Sequence, residues 1–566
     1  MAVIDRRIGL LFLAFVALLA VAVMRAGYLG AIQAGSLQQA AASQQITQVV
    51  VPAARGTITD RNGVELAISE SADDVVADPY LIKHPLVAAQ KLAPLVGEPT
   101  LTVLAALSKP HTGFVYLAHL LPASVAAEIT KLNIDGISMI PDVKRVYPRS
   151  WAASQVLGSV GWDDQGLSGI EYRYNSVLRG TNGVRKIVND AIGQPISIDE
   201  VRPADSGQTI KLTIDAALQD EVEQVLAGVG AQYSPKGATA IVMNPNTGEI
   251  LALANWPRVN ANDIGGAPAY ADEDRAVSYN YEPGSTFKAI TVAGALQDGV
   301  VTPDTEFNIP SVLQVADRQI HDAEPHPDET LSVAQVLKVS SNIGADEIGM
   351  KLGPQRFDYW VHRFGFGAPT GVDLPGEEQG IVLHASQYSG SSMGNLPMGQ
   401  GESVTPIQMA AAYSAIANGG ILRSPHIVAA IGNKPVATPV GHRIISTTTA
   451  AELRDMLRGV LADGGTASGA AIPGYDLAGK TGTANVVVNG SYSSTAYIAS
   501  FIGFVPASAP KLLVAVMVDE PQGAIYGGSV AAPAFQKIVG WAVPYFGISP
   551  CPAPCPPSAT SPTGSG

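Results

Sequence analysis

The chain has 566 residues, 46% of them hydrophobic, and a formal net charge of −14. That length exceeds one domain and leaves ample material for a core. The acidic balance, with no long basic run, argues against nucleic acid as a main partner.

Ile8 to Met24 is an uninterrupted apolar run preceded by Arg6 and Arg7. Its length is at the short end for a spanning helix, and Arg25 can snorkel at the far interface. The flanking arginines put the N-terminus in the cytoplasm and the rest of the chain outside. A cleaved signal peptide is the other reading, but the run is longer than a signal core and no small-x-small site ends it. Residues 1–7 are therefore read as a cytoplasmic N-terminus and 8–27 as a single-pass transmembrane anchor. Residues 28–54, rich in Gln, Ala and Ser and nearly uncharged, suit a stalk.

Residues 55–207 read as one domain of short helices and Gly/Pro-punctuated strands. Within Arg55–Ala67, Thr57 and Ile58 look like a strand, Asp60–Gly63 a turn and Val64–Ala67 the return strand. Arg145-Val-Tyr-Pro148 and Gly166-Leu-Ser-Gly-Ile-Glu171 read as loops and a helix start. Residues 208–547 read as a second domain. Asp215 caps a helix that presents Leu218, Val222, Val225 and Leu226 on one face. Ala238–Met243 and Glu249–Ala254 flank a Pro-Asn-Thr-Gly turn. Helical patterns fill 285–298, 332–338, 343–352, 405–418 and 448–463; strands return at 476–488, 496–505 and 511–519, and a last helix covers 531–542. Helices between two groups of strands predict an α+β fold with an antiparallel sheet backed by helices. Residues 548–566 are Pro-, Ser-, Gly- and Thr-rich and read as a disordered tail. Cys551 and Cys555, the chain's two cysteines, both lie there, as a small disulfide or as free thiols.

Three short patterns carry chemistry. In Tyr281-Glu-Pro-Gly-Ser285-Thr-Phe-Lys288, Pro and Gly precede a helical pattern that closes at Gly299. Ser285 and Lys288 then share a face in the first turn. A serine hydroxyl is a weak nucleophile until a base takes its proton, and a desolvated, neutral lysine is such a base. The helix N-terminus offers N–H groups where an oxyanion forms. Ser-x-x-Lys alone carries little, since Ser508–Lys511 repeats it in a Pro-containing turn. Ser340-Ser-Asn342 follows between two helical runs, with a decoy of the same spacing at Ser278–Asn280. Lys480-Thr481-Gly482 opens a strand-like run and occurs once. No Cys/His cluster has zinc spacing, and His321 and His326 sit in a Pro-broken acidic loop, so neither a metal nor a cofactor is expected.

In this order the three patterns resemble the penicillin-binding protein and serine β-lactamase superfamily, and within it the class B penicillin-binding proteins. Arg275–Lys288 resembles the active-serine block. Arg55–Ala67, Arg145–Pro148 and Gly166–Glu171 resemble blocks of the pedestal (dimerisation-type) domain. Met398–Tyr413 and Tyr526–Phe535 resemble late blocks of septal members of the FtsI type. The resemblance implies a transpeptidase domain of the penicillin-binding, serine β-lactamase-like fold, preceded by an elongated pedestal and one transmembrane helix. It implies that Ser285 attacks the D-Ala-D-Ala carbonyl of a stem peptide, Lys288 takes its proton, and Ser340 relays it to the leaving amine. Asn342 would orient Lys288 and hold the substrate amide. Lys480 and Thr481 would bind the terminal carboxylate, and Gly482 would leave room for substrate along the strand. The N–H groups of Ser285 and Thr483 would form the oxyanion hole. Implied partners are donor and acceptor stem peptides, β-lactams, the cytoplasmic membrane, a glycan polymerase of the SEDS family and divisome membrane proteins.

Three other readings stay open at this point. An elongation-specific transpeptidase shares every motif. A D,D-carboxypeptidase or β-lactamase shares the three site patterns, although the Glu-x-x-Leu-Asn pattern common in β-lactamases is absent and neither enzyme needs a pedestal. A non-catalytic sensor of β-lactam or peptidoglycan would need a signalling domain, for which the few residues before the anchor are too short.

Overall fold

The computed structural model describes residues 2–31, 33, 46–189 and 195–551. Contacts divide the chain into two compact units. One comprises Met1–Ala54, Ser71–Val143 and Gly180–Gly207; the other comprises Arg55–Glu70, Lys144–Arg179 and Gln208–Gly566. The units thus interleave in sequence, where the sequence pattern predicts boundaries at 55 and 208. The three pedestal-like blocks, Arg55–Ala67, Arg145–Pro148 and Gly166–Glu171, all belong to the larger unit.

In the smaller unit, Ala2–Ala31 forms a helix, long and apolar enough over Arg6–Ala31 to cross a membrane. The end of the expected stalk is a strand. Ile46–Val51 pairs antiparallel with Gly183–Asn189, which pairs with Pro195–Arg202. Its β-branched run, Val49-Val50-Val51, suits a pleated backbone better than a free stalk. Elsewhere in this unit, residues 72–77 pair with Val115–Pro122. Val75, Leu92, Val103, Leu107 and Ile129 make a separate apolar core.

The larger unit is built on a five-stranded sheet. Helix α1 (Ala216–Tyr233) starts at Asp215, whose carboxylate accepts from the N–H groups of Ala217 and Leu218. Strands β1 (Gly237–Met243) and β2 (Ile250–Trp256) follow as a hairpin. A helical region comes next, with α2 (Lys288–Gln297), α3 (Val333–Val339), α4 (Asn342–Leu352) and α5 (Pro406–Ala417). The chain then returns to the sheet as β3 (Ala478–Val488), β4 (Ser491–Val505) and β5 (Leu512–Asp519), and ends on α6 (Gly527–Tyr545). The strand order is β2-β1-β5-β4-β3, antiparallel throughout, with β3 at an edge.

Both faces of this sheet are covered, so β1 and β5 are buried at every position and mostly apolar rather than apolar at alternate ones. Val514 and Val516 of β5 share a core with Leu226 of α1 and Phe535 of α6. Leu513 and Ala515, pointing the other way, share a core with Ile290 of α2 and Tyr413 of α5. The start of the expected tail also packs: Ile548 is buried and the Cys551 N–H donates to the Gly474 carbonyl. Cys551 is disulfide-bonded. Cys555 and the remainder of the tail lie outside the described residues.

Candidate active site

Ser285 does not sit in an α-helix. Pro283 and Gly284 lead into a 3-10 turn, Gly284–Phe287, and the α-helical pattern begins at Lys288. In a 3-10 turn residues three apart eclipse one another, so Ser285 and Lys288 share a face even more closely than the expected α-turn would give. Gly284 has φ +54°, and a Cβ there would lie 2.8 Å from the Thr483 carbonyl oxygen. The turn that holds the serine therefore presses directly on β3, and only glycine fits at the contact.

Gly482 has a related reason. A Cβ there would stand 2.3 Å from Ser500 Oγ, 2.9 Å from Thr286 Cγ2 and 3.0 Å from the Pro283 oxygen. A side chain at this position would run into the protein itself. The glycine lets the edge strand close on the serine turn.

Lys288 is fully buried, at 0% exposure. Its Nζ donates to Ser340 O at 2.6 Å and to Asn342 Oδ1 at 2.7 Å, and lies 3.4 Å from Ser340 Oγ. Ser285 Oγ makes no hydrogen bond with a described residue; such bonds often tighten only when substrate is bound. Burial pulls Lys288 down to about 8, against the raising influence of Asp322 and Asp346. Lys480 is equally buried, and its Nζ donates to Ser340 Oγ at 2.8 Å. Burial, helped by the neighbouring Lys288, holds Lys480 well below the ordinary lysine range. Two lysines from two elements thus converge on one hydroxyl.

Ser340 reaches that position from an uncommon backbone. It ends α3 in the left-handed region, with φ +64°. For a non-glycine residue this costs on the order of 1–3 kcal/mol and persists only where the surroundings fix it. Here both flanking helices are pinned by caps. Ser332 and Gln335 form a capping box at the start of α3, and Ser341 Oγ caps α4.

Asp322 locks the same corner. Its carboxylate accepts from Ser341 Oγ at 2.7 Å and from the N–H groups of Asn342 and Ile343. Asn342 then holds Lys288 with its oxygen, while its Nδ2 donates to His321 O at 2.9 Å. One of the two Asn342 amide hydrogens is thereby engaged by the protein, which leaves the other for a substrate amide.

Thr481 and Thr483 lie on the edge strand. Thr481 is buried, and its Oγ1 is 2.8 Å from Thr466 Oγ1. Thr483 Oγ1 accepts from the Gly527 N–H, which fixes β3 to the start of α6. Lys288, Ser340, Asn342, Lys480 and Thr481 are thus linked by hydrogen bonds, and Gly482 and Thr483 close on the turn that carries Ser285. The decoys fall elsewhere: Ser508 and Lys511 are exposed on a turn, and Ser278 Oγ turns back to the Asp274 carbonyl.

Asp322, Asp346 and Thr466 were not foreseen. The acidic His321–Glu329 loop read as solvated, and no sequence signal says that Asp322 caps the second motif. One group among the described residues has the makings of a metal site: Asp358, His362 and His384, whose ligand atoms lie within 4.8 Å of one another. The His362 and His384 rings stack at 4.5 Å. None of the three residues takes part in the network around Ser285.

Residues 238–540 match the penicillin binding protein transpeptidase domain, and residues 50–212 match the penicillin-binding protein dimerisation domain. The chain is 35% identical to stage V sporulation protein D of Bacillus subtilis, over 88% of this chain and 79% of that one. It is 32% identical to the peptidoglycan D,D-transpeptidase FtsI of Escherichia coli, over 88% and 85%. The crystal structure of penicillin binding protein 3 from Mycobacterium tuberculosis complexed with ampicillin superposes with a TM-score of 0.72 at 31% identity, covering 91% of this chain and all of that one.

Proposed function

The chain belongs to the class B penicillin-binding proteins, and from that membership we propose how its site works: Ser285 is the acylated nucleophile and Lys288 its base. The protein is a peptidoglycan D,D-transpeptidase of the FtsI, penicillin binding protein 3 and stage V sporulation protein D class. The observation that carries the residue roles is Ser340 Oγ, held by Lys480 at 2.8 Å with Lys288 at 3.4 Å.

Ser285 Oγ attacks the carbonyl carbon between the two D-alanines of a donor stem peptide, and its proton passes to neutral Lys288. N–H groups of Ser285 and Thr483 receive the oxyanion. On collapse, the C–N bond breaks and Ser340 passes a proton to the leaving D-alanine nitrogen. Lys480 and Thr481 bind the terminal carboxylate; Lys480 is best suited to this as an ammonium, and an arriving carboxylate raises its proton affinity. An acceptor amine from a second stem peptide then displaces Ser285 and forms the cross-link. β3, an edge strand, offers a free backbone edge along which an extended peptide can lie. β-Lactams enter by the same route, and their stable acyl-enzyme blocks the second step.

The late blocks Met398–Tyr413 and Tyr526–Phe535 support a septal role, with the N-terminus in the cytoplasm and the catalytic unit outside. A glycan polymerase of the SEDS family and divisome membrane proteins are the implied partners. Midcell localisation of a fluorescent fusion supports this role; lateral-wall localisation favours elongation. The catalytic assignment is tested by labelling with a fluorescent penicillin. Label lost in Ser285→Ala and retained in Ser508→Ala is expected, and the reverse pattern defeats the assignment. Hydrolysis without cross-links from enzyme supplied with nascent glycan strands would make it a carboxypeptidase.

A further inference from the structure

We propose that Asp346 is a positioning residue for Lys288, a buried carboxyl whose charge state sets how strong a base Lys288 is. The proposal rests on the reading of Lys288 as the base that activates Ser285.

Asp346 lies on α4, four residues beyond Asn342 and therefore on the same helix face, one turn further along. It is 0% exposed, and neither carboxyl oxygen has a hydrogen-bond partner. A buried carboxylate in that condition is costly, so the group must either keep its proton or lean on a nearby cation. The charged groups that act on it are Lys288 on α2, packed against α4, and Asp322 in the loop before α3. Other elements packed on α4, including α3 and the helix Pro354–Arg363, add no further charge there. Lys288 is in turn faced by Asp322, Asp346 and Lys480.

The two acids differ in kind. Asp322 is bound by Ser341 Oγ and two backbone N–H groups and faces the His326 ring at 3.2 Å, so its charge is spent on fixing the second motif. Asp346 has no such partners. Burial, opposed by Lys288 and helped by the Asp322 charge, pushes it up to about 8, the same range to which Lys288 is lowered. When Asp346 is protonated it exerts no full charge on Lys288, which then gives up its own proton more readily. When Asp346 is ionised it stabilises the Lys288 ammonium, so a higher pH is needed to free the base. In acylation the Ser285 proton goes to Lys288 and on through Ser340 to the leaving nitrogen; Asp346 neither gives nor receives a proton.

The test is the pH profile of acylation of the full-length enzyme by a chromogenic β-lactam, from about pH 5 to about pH 10, which spans the carboxyl and lysine ranges. Asp346→Asn keeps the shape of the protonated acid and removes its ionisation. Well below pH 8, where the wild-type carboxyl keeps its proton, the variant should acylate like wild type; around and above that point it should reach its plateau about one pH unit sooner. Asp346→Ser, smaller and equally uncharged, should shift it in the same direction. A purely structural role would lower Tm and leave the limb in place, and that result overturns the proposal. Should both variants fold poorly, the wild-type enzyme decides. A protonated-carboxyl infrared band that titrates in step with the acylation limb supports the proposal; a limb with no such band overturns it. Lys288→Ala separates the two claims: if it acylates like wild type, the reading of Lys288 fails, whatever the Asp346 variants do.

Discussion

The larger unit buries positive charge around Glu171 and around Ser340, and it treats the two in opposite ways. Around Glu171, Arg55 donates through Nε to Oε2 and through Nη2 to the backbone oxygen, and Arg145 Nε donates to Oε1 at 2.6 Å. Arg55 is further held by Asn175 Oδ1 and the Asp164 oxygen. Both oxygens of the carboxylate are engaged by a guanidinium, in the bidentate-capable geometry that arginine favours. Around Ser340, by contrast, Lys288 and Lys480 are buried with no carboxylate in hydrogen-bonding contact. They meet hydroxyl, amide and carbonyl oxygens instead. Neutralised charge makes a permanent structural joint. Unneutralised lysines are pushed toward their neutral, basic form, which suits proton transfer.

The sharpest way to break this contrast is at Lys288. Replacement by Met keeps the stem and removes the base, so acylation should fall by about 10²–10⁴-fold while the fold persists. Stopped-flow acylation checks it, with thermal unfolding as control. In wild type the base is the deprotonated form, and Lys288 is lowered to about 8. Acylation should therefore rise with pH up to that point and level off above it, losing about tenfold for each pH unit below. A flat profile across that range would remove Lys288 from the base role.

At Glu171 the opposite response is expected. Glu171→Ala leaves Arg55 buried without its partner, and Arg145 with it, and should destabilise the protein by about 3–5 kcal/mol. Chemical denaturation measures this. The folded fraction should acylate at the wild-type rate, because none of the three residues touches the network around Ser285. A loss of acylation at unchanged stability would place the joint in the catalytic machinery.

The two regions were also unequally legible in sequence. Ser285, Lys288, Ser340, Asn342 and Lys480 were readable because each sits in a short pattern whose spacing is fixed by local backbone. The structure then altered only the form of one element: Ser285 lies in a 3-10 turn, where the pattern predicted the start of an α-helix. Arg55, Arg145 and Glu171 were visible only as separate blocks, and no spacing in the chain says that they meet. Asp322 and Asp346 were less visible still. One lies in a Pro-broken acidic loop and the other on a helix whose apolar spacing hides a buried acid. Their meaning depends on burial and on what surrounds them, which periodicity does not encode. The main helices and the sheet strands followed their hydrophobic patterns. Small hairpins such as Leu313–Val315 with Arg318–Ile320 did not, being too short and polar to show a period.

The smallest predicted effect asks whether the polar side of the catalytic region depends on single hydrogen bonds. Thr466 Oγ1 lies 2.8 Å from Thr481 Oγ1, and Thr481 Oγ1 also lies 3.4 Å from Lys480 Nζ. Thr466→Val keeps the shape and removes one partner of a hydroxyl proposed to bind the substrate carboxylate. A neutral hydrogen bond of this kind contributes about 0.5–1.5 kcal/mol, which corresponds to a weakening of about 2–10-fold. Because Thr466 is exposed, water can take the vacated place, so the lower end is expected. The loss should appear in the second-order rate constant for acylation by a carboxylate-bearing β-lactam and leave Tm almost unchanged. A loss beyond a hundredfold would mean that Thr466 contacts the carboxylate itself, and the clamp would then extend from β3 onto the loop that precedes it.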